Sequence, residues 1–388
     1  MSKPELNIGI IGYNFMGKAH SNAWLQANKF FDAPYTAVLK AACGRNGDAT
    51  RAFADNWGWE HVETDWRKVV ERDDIDVIDI ATPQVLHHDI AVAAAESGKH
   101  IFCEKPMCMT SGEARDMLAA AEKAGVRHYL NHNYRRVPAI RLARQLIDEG
   151  AVGRIYHWRC AYQQDWIVDP NFPLTWQLTA ESAGTGPHAD LNSHTVDLAH
   201  YLVGDIKNVS CTMASFIGER PIPSEGATAF SEAETGPTEM GKVTVEDTSL
   251  MHVEFENGAI GSFEATRFAA GRRNRNTFEI YGSEGSIVFN LEQMNELQVY
   301  SRNDPPHAQG FKTILTTEPC HDYMKNWWPP GHVIGYEHEF VHAVADFMGA
   351  IKNDTPIDPD FADGIKTMAV LDAGIESART GQRVAVER

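Results

Sequence analysis

The chain has 388 residues, 43% of them apolar and 23% charged, an ordinary globular balance at a length that favours two cores over one. Its 35 basic and 53 acidic residues leave a formal charge of −18, which repels phosphate backbones and anionic membranes and excludes nucleic acid and membrane as leading partners. The cysteines at 43, 103, 108, 160, 211 and 320 form no CxxC pair and stand at no zinc-finger spacing from histidine, so buried free thiols are expected and a metal site is not. The opening Met-Ser-Lys-Pro-Glu-Leu-Asn has no charged and apolar leader pattern, and no apolar run nears a membrane span, so a cytoplasmic protein is expected.

Strand and helix alternate over the first 132 residues. Strands are expected at 7–11, 38–43, 75–81, 100–103 and 126–131, with helices at 15–27, 49–57, 90–97 and 112–124, the last two stopped by Gly98 and Gly125. Asp76 and Asp79 interrupt the otherwise apolar 75–81 run. Repeated βα units of this length predict a parallel, right-handed, doubly wound sheet, an α/β fold. The pattern changes near 133, so domains of 1–132 and 133–388 are expected. The second carries a helix at 138–149, a strand at 155–162, a loop rich in Trp and Pro, and a helix at 189–202. Strands and hairpins then run from 209 to 300, with turns at Asn257-Gly258 and Gly282-Ser283-Glu284-Gly285. That is an α+β domain with a large, mainly antiparallel, open-faced sheet. The acidic 219–241 segment reads as a surface loop, and helices at 336–352 and 360–380 close the chain, where they are free to pack back on the first domain.

Gly12-Tyr13-Asn14-Phe15-Met16-Gly17 follows the first strand and opens the first helix, the position of a dinucleotide-binding turn. Asn14 replaces the middle glycine; asparagine tolerates left-handed backbone better than most residues. The second strand ends in Gly44-Arg45 where an acid would hold the ribose of NAD. Arg45 in place of the acid leans toward the 2′-phosphate of NADP, with a stacked adenine as the alternative, so both NAD and NADP stand as cofactors. Glu104-Lys105-Pro106 ends the apolar 101–103 strand, which holds a cation at the carboxyl edge of the sheet, where open α/β sheets bind ligands.

In the second domain Asp190 and His194 stand four apart on an expected helix, where a carboxylate orients an imidazole and tunes it as a general base. Asp197 follows three residues later, and His188 is either a second pocket histidine or a solvated one.

Taken together these segments resemble the Gfo/Idh/MocA oxidoreductases along essentially the whole chain. The carrying residues are the turn from Gly12 to Gly17, Thr82-Pro83, His87, Gly98-Lys99-His100, Glu104-Lys105-Pro106, Asn133-Tyr134-Arg135, and the Gly186, Asp190, His194, Asp197 pattern. The resemblance implies an N-terminal Rossmann domain and a catalytic triad of Lys105, Asp190 and His194, in which either His194 or Lys105 is the base and the other holds the oxygen. It also implies cofactor contacts from the Gly12–Gly17 turn (Asn14, Phe15 and Met16 included), Gly44, Arg45, Thr82, Pro83, His87, Glu104 and Lys105. Glu104 is expected either to touch the nicotinamide ribose or to fix Lys105. Tyr134, Arg135, Tyr162, Gln163, Trp166, Trp176 and His188 are the substrate candidates beside Lys105, Asp190 and His194, since a sugar ring asks for aromatic faces and dense hydrogen bonding. Trp327-Trp328-Pro329-Pro330-Gly331-His332 reads as a rigid aromatic loop, packed on the sheet or closing over a pocket, and Arg272, Arg273 and Arg275 as a hairpin cluster. The leading expectation is an NAD(P)-dependent dehydrogenase of a neutral monosaccharide, an anhydrosugar such as levoglucosan, or an inositol. The alternatives are a glycoside-processing enzyme that oxidises C3 transiently with bound NAD, and a non-catalytic dinucleotide-binding regulator. A homo-oligomer, dimer or tetramer, is expected through the open sheet.

Overall fold

A computed structural model describes residues 3–223 and 239–387, so most of the expected acidic loop lies outside the described residues. The chain divides into two units, Met1–Val137 with Thr317–Ile365, and Pro138–Thr316 with Lys366–Arg388. The first unit thus takes in 133–137 and 317–365 beyond the boundary expected at 132.

In the first unit β1 (Glu5–Ile11), β2 (Thr36–Cys43), β3 (His61–Glu63), β4 (Val77–Ile80), β5 (His100–Cys103) and β6 (His128–Leu130) form one parallel sheet in the order β3-β2-β1-β4-β5-β6. The strands are apolar on both faces because helices cover both. Those helices are α1 (Phe15–Phe30), α2 (Gly47–Trp57), α3 (Trp66–Val70), α4 (His87–Glu96) and α5 (Ser111–Ala124). Strand β3 and helix α3 went unforeseen, since three and five residues are too few to show a period. Strand order reverses between β1 and β4, and ligands of such sheets bind at the carboxyl ends there. The Tyr336–Asn353 helix packs on α1, and Trp24, Phe102, Tyr129, Phe340 and Phe347 fill the core. Trp327 joins that core: its indole N–H donates to His342 Nε2 at 2.7 Å, and His342 Nδ1–H donates to the Arg136 carbonyl at 2.9 Å. The aromatic loop is therefore packed within this unit at Trp327, while Trp328 keeps an exposed face.

In the second unit β7 (Ile155–Gln163), β8 (Ile206–Ala214), β11 (Thr248–Phe255), β12 (Ile260–Thr266), β13 (Arg275–Gly282), β14 (Gly285–Asn290), β15 (Glu296–Ser301), β16 (Lys312–Leu315) and β17 (Val384–Ala385) form a nine-stranded sheet; β9 (Glu219–Pro221) and β10 (Met240–Lys242) form a separate ribbon. The order is β16-β15-β14-β13-β7-β12-β11-β8-β17, antiparallel except where β12 runs beside β7. Alternation puts Trp158, Phe263, Phe278 and Phe289 on the covered face, under the helices Pro138–Asp148 and Asn192–Leu202. The other face is polar, with Gln163 bonded to Glu264 and Arg275. Arg273 and Arg272 pair with Asp165 and Glu292, as a hairpin cluster held by its own protein would.

Five cysteines are buried, as the composition predicted; Cys320 is exposed instead. No described helix is long and apolar enough to cross a membrane.

Candidate active site

The turn after β1 is built by its two glycines. Gly12 sits at φ +114°, and a Cβ there would lie 2.2 Å from the Ala81 carbonyl oxygen. A Cβ on Gly17 would lie 2.3 Å from the Gly12 carbonyl oxygen, so helix α1 starts directly against the turn. Asn14 needs no left-handed backbone: it is the N-cap of α1 at φ −77° and ψ −150°, which any L-residue adopts. That corrects the reason for its tolerance. Phe15 opens α1 half-exposed, its ring stacked on Tyr336, and Met16 leans on the core.

At the end of β2, a Cβ on Gly44 would lie 2.2 Å from the Tyr13 ring and 2.7 Å from Thr50 Oγ1. The acid usual at this point has no room because the Tyr13 ring fills its place. Beside it Tyr13, Arg45, Asn46, Gly47 and Asp48 line an open cavity of about 660 Å³. After β4, Thr82 Oγ1 is buried with no hydrogen-bond partner among the described residues. A glycine cradle at a helix start, an open cavity after β2 and an orphaned hydroxyl at the strand-order reversal together fit a dinucleotide.

Two expected cofactor contacts are turned inward. The His87 ring is buried, with Nδ1 3.0 Å from the Pro106 carbonyl and Nε2 2.9 Å from the Thr82 carbonyl. It ties the loop after β4 to the loop after β5, and burial lowers its pKa. Glu104 is 3% exposed: Oε1 faces His20 Nε2 at 2.9 Å and accepts from Asn131 Nδ2 at 2.6 Å, while Oε2 accepts the Lys105 backbone N–H at 3.1 Å. Of the two expected roles, holding Lys105 is the one that these bonds serve. His20 in turn bonds Asp79, the acid that interrupted the apolar β4 run, at 2.7 Å. An acid inside a strand with no visible partner asks for a buried donor, which the packing supplies as His20.

In the second unit the expected helix at 189–202 is two: Pro187–Asp190 and Asn192–Leu202, broken at Leu191. Gly186 is required because its Cβ would lie 2.1 Å from the Glu246 carbonyl oxygen; the Glu246 carboxylate accepts the Gly186 and His188 N–H groups at 3.0 and 2.7 Å. Asp190, at the break, accepts from Arg267 Nη2 at 2.7 Å. Arg267 is 1% exposed, and its guanidinium lies 4.9 Å over the Trp166 ring. This clamp was not foreseen; Arg267 stands just past β12, 77 positions away, with no local signal. His194 stands in the first turn of the following helix, 5% exposed, its ring 5.8 Å from that of Tyr162.

The substrate candidates separate accordingly. Tyr162 lies beside His194 and donates its hydroxyl to Asn274 at 2.9 Å; Trp166 supports Arg267; Trp176 is exposed. Gln163, next in the strand, faces the opposite side of the sheet, where it bonds Glu264 and Arg275 and cannot share a pocket with Tyr162. His188 is fully buried, with Nδ1 2.9 Å from Ser249 Oγ and Nε2 donating to the Leu371 carbonyl at 2.9 Å, so it is a core histidine and not a ligand contact. In the first unit Arg135 is 3% exposed and reaches Asp358 and Asp363, each at 3.5 Å, which ties down its turn; Tyr134 is buried beside it. Among the described residues no cluster could hold a metal ion.

Residues 6–132 match the model of an oxidoreductase family with an NAD-binding Rossmann fold, and residues 140–288 match the GFO/IDH/MocA C-terminal domain. The chain is 44% identical over 376 residues to a levoglucosan dehydrogenase of Pseudarthrobacter phenanthrenivorans, covering 96% of each chain. Among solved structures, an oxidoreductase domain protein from Kribbella flavida superposes with a TM-score of 0.94 at 46% identity, covering 99% of this chain and 100% of the other. A levoglucosan dehydrogenase in complex with NADH and levoglucosan does so with a TM-score of 0.93 at 42% identity and the same coverage. This chain belongs to the GFO/IDH/MocA family of oxidoreductases, with an NAD-binding Rossmann domain ahead of the family's C-terminal domain.

Proposed function

We propose that the protein is an NAD-dependent dehydrogenase that oxidises a secondary hydroxyl of a neutral sugar or anhydrosugar, levoglucosan first among those to test. The observation that carries this is 44% identity, over 96% of both chains, to a levoglucosan dehydrogenase. When bound, the nicotinamide supplies the hydride acceptor. His194 takes the hydroxyl proton as general base, Asp190 orients it, and Lys105 hydrogen-bonds the alcohol oxygen and stabilises the charge that develops there. Tyr162 and Trp176 offer rings to the sugar. The protein works in the cytoplasm as a homo-oligomer built through the polar face of the nine-stranded sheet.

The test is incubation with NAD and a panel of levoglucosan, monosaccharides and inositols, read by NADH absorbance. NADH accumulating with turnover is expected. Hydrolysis or elimination of a glycoside without NADH release would replace the reading with transient C3 oxidation. Stoichiometric NAD binding without turnover on any sugar would replace it with a regulator.

We assign the preference to NAD, with Asp48 at the start of α2 serving the ribose in place of an acid at Gly44. Arg45 is exposed, and one exposed charge is worth less than about fivefold in affinity. Arg45→Ala is expected to raise KM for NAD and NADP to a similar, small extent. A rise confined to NADP would identify Arg45 as the reader of a 2′-phosphate and reverse the preference.

A further inference from the structure

We infer that His20 is a positioning residue for Lys105, acting as a buried imidazolium that joins Asp79 to Glu104 and locks the end of β5. The inference rests on the proposed role of Lys105 for its functional meaning, but its physical content stands on the first unit alone.

Asp79 Oδ1 lies 2.7 Å from His20 Nδ1, and Oδ2 accepts the Trp24 indole N–H at 2.7 Å. Glu104 Oε1 lies 2.9 Å from His20 Nε2 and accepts from Asn131 at 2.6 Å; Oε2 accepts the Lys105 N–H at 3.1 Å. Each carboxylate oxygen thus faces an N–H donor, and ionised carboxylates only accept. A ring that satisfies both acids must donate from both nitrogens. A neutral ring protonated only at Nδ1 would face the Asn131 amide at 3.2 Å but would also set its Nε2 lone pair against Glu104 Oε1 at the closer 2.9 Å, in a place no water reaches: His20, Asp79, Trp24 and Asn131 are at most 1% exposed.

The surroundings agree. Burial works against a charge on His20, but Asp79 and Glu104 outweigh it and raise its pKa to about 10. Burial also opposes the charge on Glu104; His20, Lys105 and Asn131 together hold that carboxyl below its usual range. Phe102 and Phe340 cover the ring, at 5.3 and 5.7 Å between centroids. Three buried titratable groups on the adjoining elements are each pushed toward their neutral form. The Cys103 thiol is pushed up by burial. His132, after β6, is held down to about 3 by burial, Arg135 and Lys105. Glu339, beside Phe340, is pushed up by burial and takes a hydrogen bond from Asn133.

Two negative charges and one positive therefore lie buried directly behind Lys105. Removing the positive one leaves two carboxylates in one pocket, and such a pair cannot both stay ionised. Glu104 then takes a proton, its hold on the Lys105 N–H weakens, and the field at the lysine changes.

The direct test is nitrogen NMR of the histidine rings in the intact protein with and without NAD, with the His20 signal assigned through His20→Gln. Both ring nitrogens of His20 are expected to stay protonated at pH 8, where a free imidazole is neutral. A single-N–H neutral ring at pH 8 overturns the inference, whatever the activity. Turnover then tests positioning. His20→Gln is expected to lower kcat by about 10- to 100-fold, the scale of lost outer-shell partners, and to leave KM for NAD nearly unchanged. Its kcat profile is expected to gain a second acid-side ionisation, that of Glu104, beyond the parent's own acid limb, and Glu104→Gln on top of it is expected to add little. A parental pH profile, or fully additive losses, overturns it too. Should His20→Gln fail to fold, Asp79→Asn supplies the assignment, since only the His20 signals should move. Normal turnover in Lys105→Ala would remove the proposed catalytic role while leaving the charge on His20 to be read independently.

Discussion

Lys105→Ala is expected to lower kcat by about a thousandfold or more while NAD still binds, because it deletes the one positive group proposed to meet the developing alkoxide. The expectation follows from where the lysine sits. It leaves the carboxyl end of β5, in a sheet whose strand order reverses between β1 and β4, and its own N–H is held by Glu104. The cofactor turn lies elsewhere, at Gly12 and Gly17, so binding and turnover should separate. His194→Ala is expected to cost kcat on a similar scale, and the double variant far less than the product of the two, since lysine and histidine are proposed to serve one proton transfer. The measurements are NAD titration by fluorescence and steady-state rates. Near-parental turnover in either single variant, with binding intact, sinks the triad.

Arg267→Met is expected to have the second largest effect. The guanidinium is 1% exposed, lies over the Trp166 ring and donates to Asp190 at 2.7 Å; the Asp190 side chain itself is 38% exposed. Breaking a fully buried pair costs several kcal/mol, and solvent at the Asp190 end reduces that to about 1–3 kcal/mol of stability. The rate should suffer more. Without its clamp the carboxylate loses a fixed direction and a neighbouring positive charge, so the acid limb of kcat should move to higher pH and kcat should fall by about 10- to 100-fold. Arg267→Lys should recover stability better than rate, because an ammonium neither stacks on Trp166 nor forks to a carboxylate. Urea unfolding and a kcat–pH series check both halves; an unchanged pH profile in Arg267→Met would show that Asp190 does not depend on the clamp.

Local pattern carried much of this protein. The βα alternation named a parallel doubly wound sheet because buried strands and amphipathic helices have different periods, and each fits in a window of a few residues. Gly12, Gly17 and Gly186 were legible for the same reason: a Cβ has nowhere to go in a turn or at a helix start, whatever the rest of the chain does. Lys105 could be singled out since a charge at the end of an apolar strand is a local anomaly. The motif carrying Asp190 and His194 could be read, but not the helix break at Leu191 or the partner of Asp190.

The remainder was decided by contacts between distant positions. Asp79 reads alone as an interruption; it is half of an ion pair with His20, 59 positions away, and Glu104 completes the set from 84 positions away. Glu104 and His188 are polar residues beside proposed catalytic ones, yet the first turns inward to hold Lys105 and the second bonds Ser249 and Leu371 in a core. Periodicity says which side of an element a residue takes and nothing about what another element brings to meet it. By itself the sequence determined the fold class, the dinucleotide turn and which residues are chemically unusual. The tertiary structure alone decided which of those are turned inward and which distant side chains hold the others in place, because a buried polar group must be satisfied by whatever donor the packing delivers.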